Sequence, residues 1–180
     1  VPPKRFNDNA AAFASPYPLL PDPRHTGVNE LHLAWNPLED WLLRLGRQGV
    51  KLGNERHISD DAFRQVPLLY DGLLVRGAPI ERVQLTLGQF NRLRLRNGAT
   101  ESLQLTLVEW AMNPWRDVSV ATYAIRHRPQ AQASSRFRFG VADLSNQVVG
   151  AVVDGSVGLG EMRGYYTLNV ADQRSTGDES

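Results

Sequence analysis

A chain of 180 residues with a formal net charge of +1, 42% hydrophobic and 22% charged residues has the composition of one globular domain with an arm, or of two small domains. Having no cysteine excludes disulfides, thiolate nucleophiles, Cys-type zinc sites and blue-copper sites. No apolar run approaches the ~18 residues of a membrane-spanning helix, and no charged segment followed by an apolar one opens the chain, so neither a membrane span nor an uncleaved signal peptide is expected.

Residues 1–30 read as an extended proline-rich arm. Six of the 11 prolines fall between Pro2 and Pro23, which rules out a sustained helix or a central strand. The same stretch carries Phe6, Phe13, Tyr17 and Leu20, apolar anchors that a solvated linker lacks. Such a strap gains stability when a neighbour supplies the other side.

A helix is predicted near 37–48. Asn36 is placed as N-cap, Pro37 as first helical residue and Glu39 at N3, and Leu38, Trp41, Leu42 and Leu45 recur at i, i+3, i+4 and i+7. A further turn of helix is expected after Ser59, ending before Pro67.

From about Val66 the period changes to 2. Val83, Leu85 and Leu87 alternate with polar residues, Gly88-Gln89 is read as a two-residue turn, and Phe90 to Arg96 alternates again. Leu103, Leu105 and Leu107 complete a three-strand antiparallel meander. Further strands are predicted at Val118 to Ile125, around Phe137 and Phe139, at Gln147 to Val153 (an apolar run of a strand covered on both faces) and at Tyr166 to Val170. The fold class is therefore mainly β: an antiparallel sandwich or barrel of about eight strands with one N-terminal helix, in a single domain 31–172. Residues 173–180 form a polar tail.

The chemistry-bearing residue types do not assemble into a motif. His25, His32, His57 and His127 have no ligand spacing, and Glu30 with His32 lacks a third partner. Gly155-Ser156-Val157-Gly158 departs from a nucleophile elbow because Asp154 stands at the first glycine position. No enzyme activity, metal or cofactor is expected.

Two other features invite a partner. Arg92, Arg94 and Arg96 share a strand face, and Arg136 with Arg138 repeats the device. Such a face suits solvent, an acidic protein or, less favoured, nucleic acid, since the interleaved aromatics point the other way. Trp110 and Trp115 are placed in a loop between strands, as an interaction tip or one side of an end cleft.

Gln89 to Ala99 looks like the strand-and-Asn turn of multicopper-oxidase cupredoxin domains, whose copper ligands are absent here. Ala78 to Trp110 is loosely similar to all-β tail and baseplate proteins of tailed phages. Neither stretch carries a family motif, and no family is assigned. The expectation is a non-enzymatic assembly subunit, such as a virion or tail component, whose arm clasps a neighbouring subunit in a particle or the cytoplasm. The alternative is a periplasmic or surface binding module.

Overall fold

The computed structural model describes residues 26–63, 66–95, 98–129, 145–160 and 162–175. Phe6, Phe13, Tyr17, Leu20, Arg96, Arg136 and Arg138 lie outside them, as does the strand expected at Phe137.

Eight antiparallel strands form one sheet in the order of the sequence: β1 Leu31–Trp35, β2 Trp41–Gln48, β3 Leu69–Gly77, β4 Val83–Arg94, β5 Thr100–Trp115, β6 Val118–Pro129, β7 Asn146–Leu159 and β8 Met162–Ser175. The mainly-β, antiparallel, eight-strand expectation is met. No second sheet packs against this one among the described residues, so the sandwich is not the arrangement found.

The helix near 37–48 is replaced by the β1–β2 hairpin. Trp41-Leu42-Leu43-Arg44-Leu45 satisfies both periods, and strand pairing decides: Leu33 lies opposite Leu45 and Trp35 opposite Leu43. Asn36, read as an N-cap, donates its Nδ2–H to the carbonyl of Trp41 at 3.0 Å and closes the turn instead. Gly46 holds φ at +128°, a value no L residue adopts easily, and a Cβ there would meet His32 Cα at 2.9 Å. The segment after Ser59 is also non-helical; Ala62 N–H is held by Asp60 Oδ1 in a turn.

Gly88-Gln89 is no turn. β4 runs straight through it, with Gly88 opposite Leu107 and Gln89 opposite Thr106. Trp110 and Trp115 belong to β5 rather than a loop, and β7 continues past Asp154-Gly155 to Leu159. Bulges at Asp71/Gly72, Phe90/Arg92 and Met112/Trp115 bend the long strands.

The connections are unequal. The β1–β2, β3–β4, β5–β6 and β7–β8 connections are short and lie at one end of the sheet. The opposite end carries the 49–68 and 130–145 connections and the shorter one at 95–99. Segment 49–68 folds back over the sheet, burying Val50, Leu52 and Ile58 against a cluster that includes Phe90, Leu105, Leu107, Tyr123 and Ile125. Each such side chain contributes about 1.5–3 kcal/mol, an upper bound.

Candidate functional site

Alternation along β5 places Glu101, Leu103, Leu105, Leu107, Glu109 and Ala111 on the face that 49–68 covers, hereafter the inner face. Ser102, Gln104, Thr106, Val108, Trp110 and Met112 lie on the outer face. The two sequences trade character halfway. Toward the long-connection end the inner residues Leu103, Leu105 and Leu107 are apolar, after Glu101, and the outer ones polar; from Val108 toward the short-turn end the outer residues become apolar, while the inner positions are Glu109 and Ala111.

Strands β4, β6 and β7 make the same exchange at the same level. The apolar outer residues run one row further on β1–β3, where Leu33, Leu45 and Leu73 stand level with Gln89, and one row less on β8, where Asp172 faces Val149. Leu87, Val108, Ala124 and Val149 are consecutive cross-strand partners on the outer face. One step nearer the long-connection end, the row reads Gln89, Thr106, Arg126, Gln147 and Arg174. On the short-turn side the outer face of β4 to β8 is largely apolar, from Leu85 through Trp110 and Val120 to Leu168 and Val170 (63% exposed), with Thr122 among them. Its last row there includes Trp115, Val118, Gly155 and Tyr166, again cross-strand partners, with Trp35 and Trp41 at the same end of β1 and β2.

On the inner face of the short-turn half lie Arg76, Gln84, Thr86, Glu109, Asp154 and Thr167, placed there by their pairings, together with the apolar Leu42, Ala111, Ala121 and Val152. Arg44 lies one row nearer the long-connection end than Leu42. Arg44 Nε, Arg76 Nε and Thr86 Oγ1 are buried without a hydrogen-bond partner among the described residues. Glu109 stands at the changeover and ties the folded-back segment to the wall: its Oε1 accepts the Gly53 N–H at 2.7 Å, with Gly53 at φ +52°. His57 lies with its ring centroid 5.5 Å from that of Tyr123, whose hydroxyl donates to Asn169 Oδ1 at 3.2 Å. Burial beside Tyr123, and then the charge of Arg56, hold the His57 imidazole below its ordinary value. In the same segment, hydrogen bonds from Lys51 and Ser59 hold the Glu55 carboxyl below its usual range.

The residues singled out in the sequence do not converge on one site. Arg92 is exposed on the outer face, opposite Asp71 and Ser102. Arg94 is buried instead, donating to the Val28 carbonyl at 2.7 Å and to Asn29 Oδ1 at 3.0 Å, so it anchors the chain that enters β1. Trp110 and Trp115 line the apolar outer face, 40% and 68% exposed. β7 is not covered on both sides, since Val149 is largely exposed. His32 Nδ1 lies 3.4 Å from the Arg47 carbonyl, while Glu30 Oε1 accepts the Gly49 N–H. Among the described residues no three His, Cys, Asp or Glu side chains gather as a metal site.

Sequence reasoning missed the outer apolar positions Leu31, Leu45, Leu73, Leu87, Val108, Val149 and Leu168. The signal was present in the switch from Ser-Gln-Thr at 102, 104 and 106 to Val-Trp-Met at 108, 110 and 112.

No family model matches the chain, and no curated protein matches it. Among solved structures, the crystal structure of Acinetobacter baumannii OccAB4 is similar in fold, with a TM-score of 0.59 at 13% sequence identity. The match covers 79% of this chain and 35% of that one, so the chain spans about a third of the length of the structure it resembles.

Proposed function

We propose that this chain is part of the wall of a transmembrane β-barrel, its short-turn half embedded in lipid and its inner face lining an aqueous passage. The observation that carries the reading is the exchange of apolar and polar faces along the strands, in register from β4 to β7. A water-soluble sheet hides its apolar face along its whole length; a membrane barrel shows it outward within the bilayer and keeps the interior polar. The apolar outward stretches of β5 (Val108–Trp115) and β7 (Val149–Val157) are each about 8–9 residues, near the ~9–11 that cross a bilayer as tilted strand. Trp115 and Tyr166 then stand where an aromatic girdle meets the interface.

The fold likeness to OccAB4 and the unequal connections agree with this reading. No helix among the described residues is long and apolar enough to cross a membrane, which says nothing of strands. Only closed sheets tolerate lipid, because an open edge leaves backbone groups unpaired. In the barrel, the free edges of β1 and β8 are therefore met by further pairing. The reading assigns the chain no reaction; its work is passage.

The test is to fold the full chain in neutral phosphatidylcholine vesicles and in buffer alone. All four tryptophans lie on the outer face or at its rim, so lipids brominated along their acyl chains should quench most of the fluorescence. A folded, water-soluble species unquenched by those lipids would overturn the reading. The exposed apolar face also suits a second reading, an assembly subunit clasped by its 1–30 arm, which predicts a soluble particle lost on removing the arm.

A further inference from the structure

We infer that the outer face binds lipids carrying a phosphate head group, at the level where it turns from apolar to polar on the long-connection side. The inference rests on the membrane reading and names the lipid partner.

The row immediately beyond the apolar face contains Arg126 on β6 and Arg174 on β8, separated by Gln147 on β7 in direct register. With strands ~4.8 Å apart, the two arginine positions stand about 10 Å from one another. Arg128, two residues along β6 and opposite Gln104, adds a third guanidinium on the same face. Arg126, Arg128 and Arg174 are exposed. Arg174 donates to Asp172 at 2.7 Å, whereas no ion pair engages Arg126 or Arg128 among the described residues. Arg47 and Arg92 flank Asp71 at the same end of the outer face, and Arg47 donates to both its carboxylate oxygens, at 2.7 and 2.9 Å.

The level thus carries Arg47, Arg92, Arg126, Arg128 and Arg174 against Asp71 and Asp172, an excess of three positive charges. The short-turn end differs in kind. There Glu39, Asp40, Glu81 and Asp117 meet Arg82, Arg116 and Arg163, and two of these arginines are already engaged, Arg163 with Asp117 and Arg82 with Glu81. Unpaired cation is therefore concentrated at one rim. A guanidinium fork matches a phosphate in charge and geometry. Ala124 and Val149 directly below Arg126 and Gln147, followed by Ala151 and Val170 one row further, supply the bed for acyl chains, while Asp172 completes the first of these rows on β8 and pairs with Arg174. A lipid satisfies both surfaces at once, which a free anion does not. Each arginine near a charged head group adds about a factor of five in retention.

The experiment places the full chain in neutral detergent micelles and measures retained lipid by native mass spectrometry. Phosphatidic acid is compared with diacylglycerol, which lacks the phosphate, and with inorganic phosphate as competitor. Phosphatidic acid should be retained at least about tenfold more than diacylglycerol, and excess phosphate should not displace it. R126Q/R128Q should lose most of that preference, R126K/R128K should keep much of it, and R116Q at the other rim should keep all of it. Equal retention of the two lipids, an unaffected R126Q/R128Q, or displacement by free phosphate would each overturn the inference. Partition into neutral phosphatidylcholine vesicles separates the two ideas. A chain that enters them without preferring phosphatidic acid defeats this inference alone, and one that never enters them defeats the membrane reading with it.

Discussion

His57 titrates in a segment held to the sheet by a few apolar contacts and the Gly53–Glu109 hydrogen bond, so its charge bears on whether that segment stays down. Its pKa lies below the ordinary histidine value of 6.5, because the folded state favours the neutral ring. A group depressed on folding contributes stability that is present above its unfolded pKa and lost as pH falls through the folded one. Amide exchange across 50–60 should therefore quicken on acidification below about pH 6.5, and H57F, which keeps a ring against Tyr123 without a titrating proton, should show no change there. Glu55 lies below its ordinary 4.5, so any loosening through it comes at distinctly lower pH. Gly46 gives a second test at this scale. G46A forces a Cβ into the backbone of β1 and strains φ, and should cost about 1–3 kcal/mol, read as selective loss of exchange protection over Leu31–Trp35.

Strands are where the sequence was most legible and most misleading. β6 and β8 stand where their β-branched and aromatic residues put them, and β7 stands where its apolar run put it, although that run is covered on one face and not on both. β2 was misread since Leu38, Trp41, Leu42 and Leu45 fit a helical stripe as well as Trp41, Leu43 and Leu45 fit a strand face, and only the partners Leu33 and Leu73 break the tie. β4 was cut in two because glycine beside a polar residue usually marks a turn. Gly88 is instead a strand position where a Cβ would run into the side chains of Phe90 and Leu107. The outer face was illegible for a different reason: a single solvent was assumed, so apolar residues on alternate faces of one strand had no common account. That account is tested by position. M112R, in the middle of the lipid-embedded stretch, should cost about 2–4 kcal/mol in guanidinium unfolding from vesicles, whereas S102R, on the same face and strand beyond the changeover, should stay within about 0.5 kcal/mol. Equal small costs would return the face to water.

At the scale of the whole molecule, composition could not distinguish a barrel wall from a soluble domain. A membrane strand spends half its residues on the interior, so its mean polarity is ordinary and no window of sequence is uniformly apolar. The information lies in register, the lateral alignment of Leu87, Val108, Ala124 and Val149, which belongs to pairing and not to any single segment. The same alignment sorts the arginines. The ones that looked alike in sequence divide into Arg94, which anchors the entry to β1, and Arg126 and Arg128, which stand free at a boundary.

Strand order equals chain order throughout, and each strand is hydrogen-bonded only to its sequence neighbours. Such a sheet has no internal lock that must break before the rest can move. Drawn out by one end in a force spectrometer, it should part like a zip, hairpin by hairpin in a series of separate ruptures. The steepest of them should come where β7 and β8, tied by the longest ladder, finally separate.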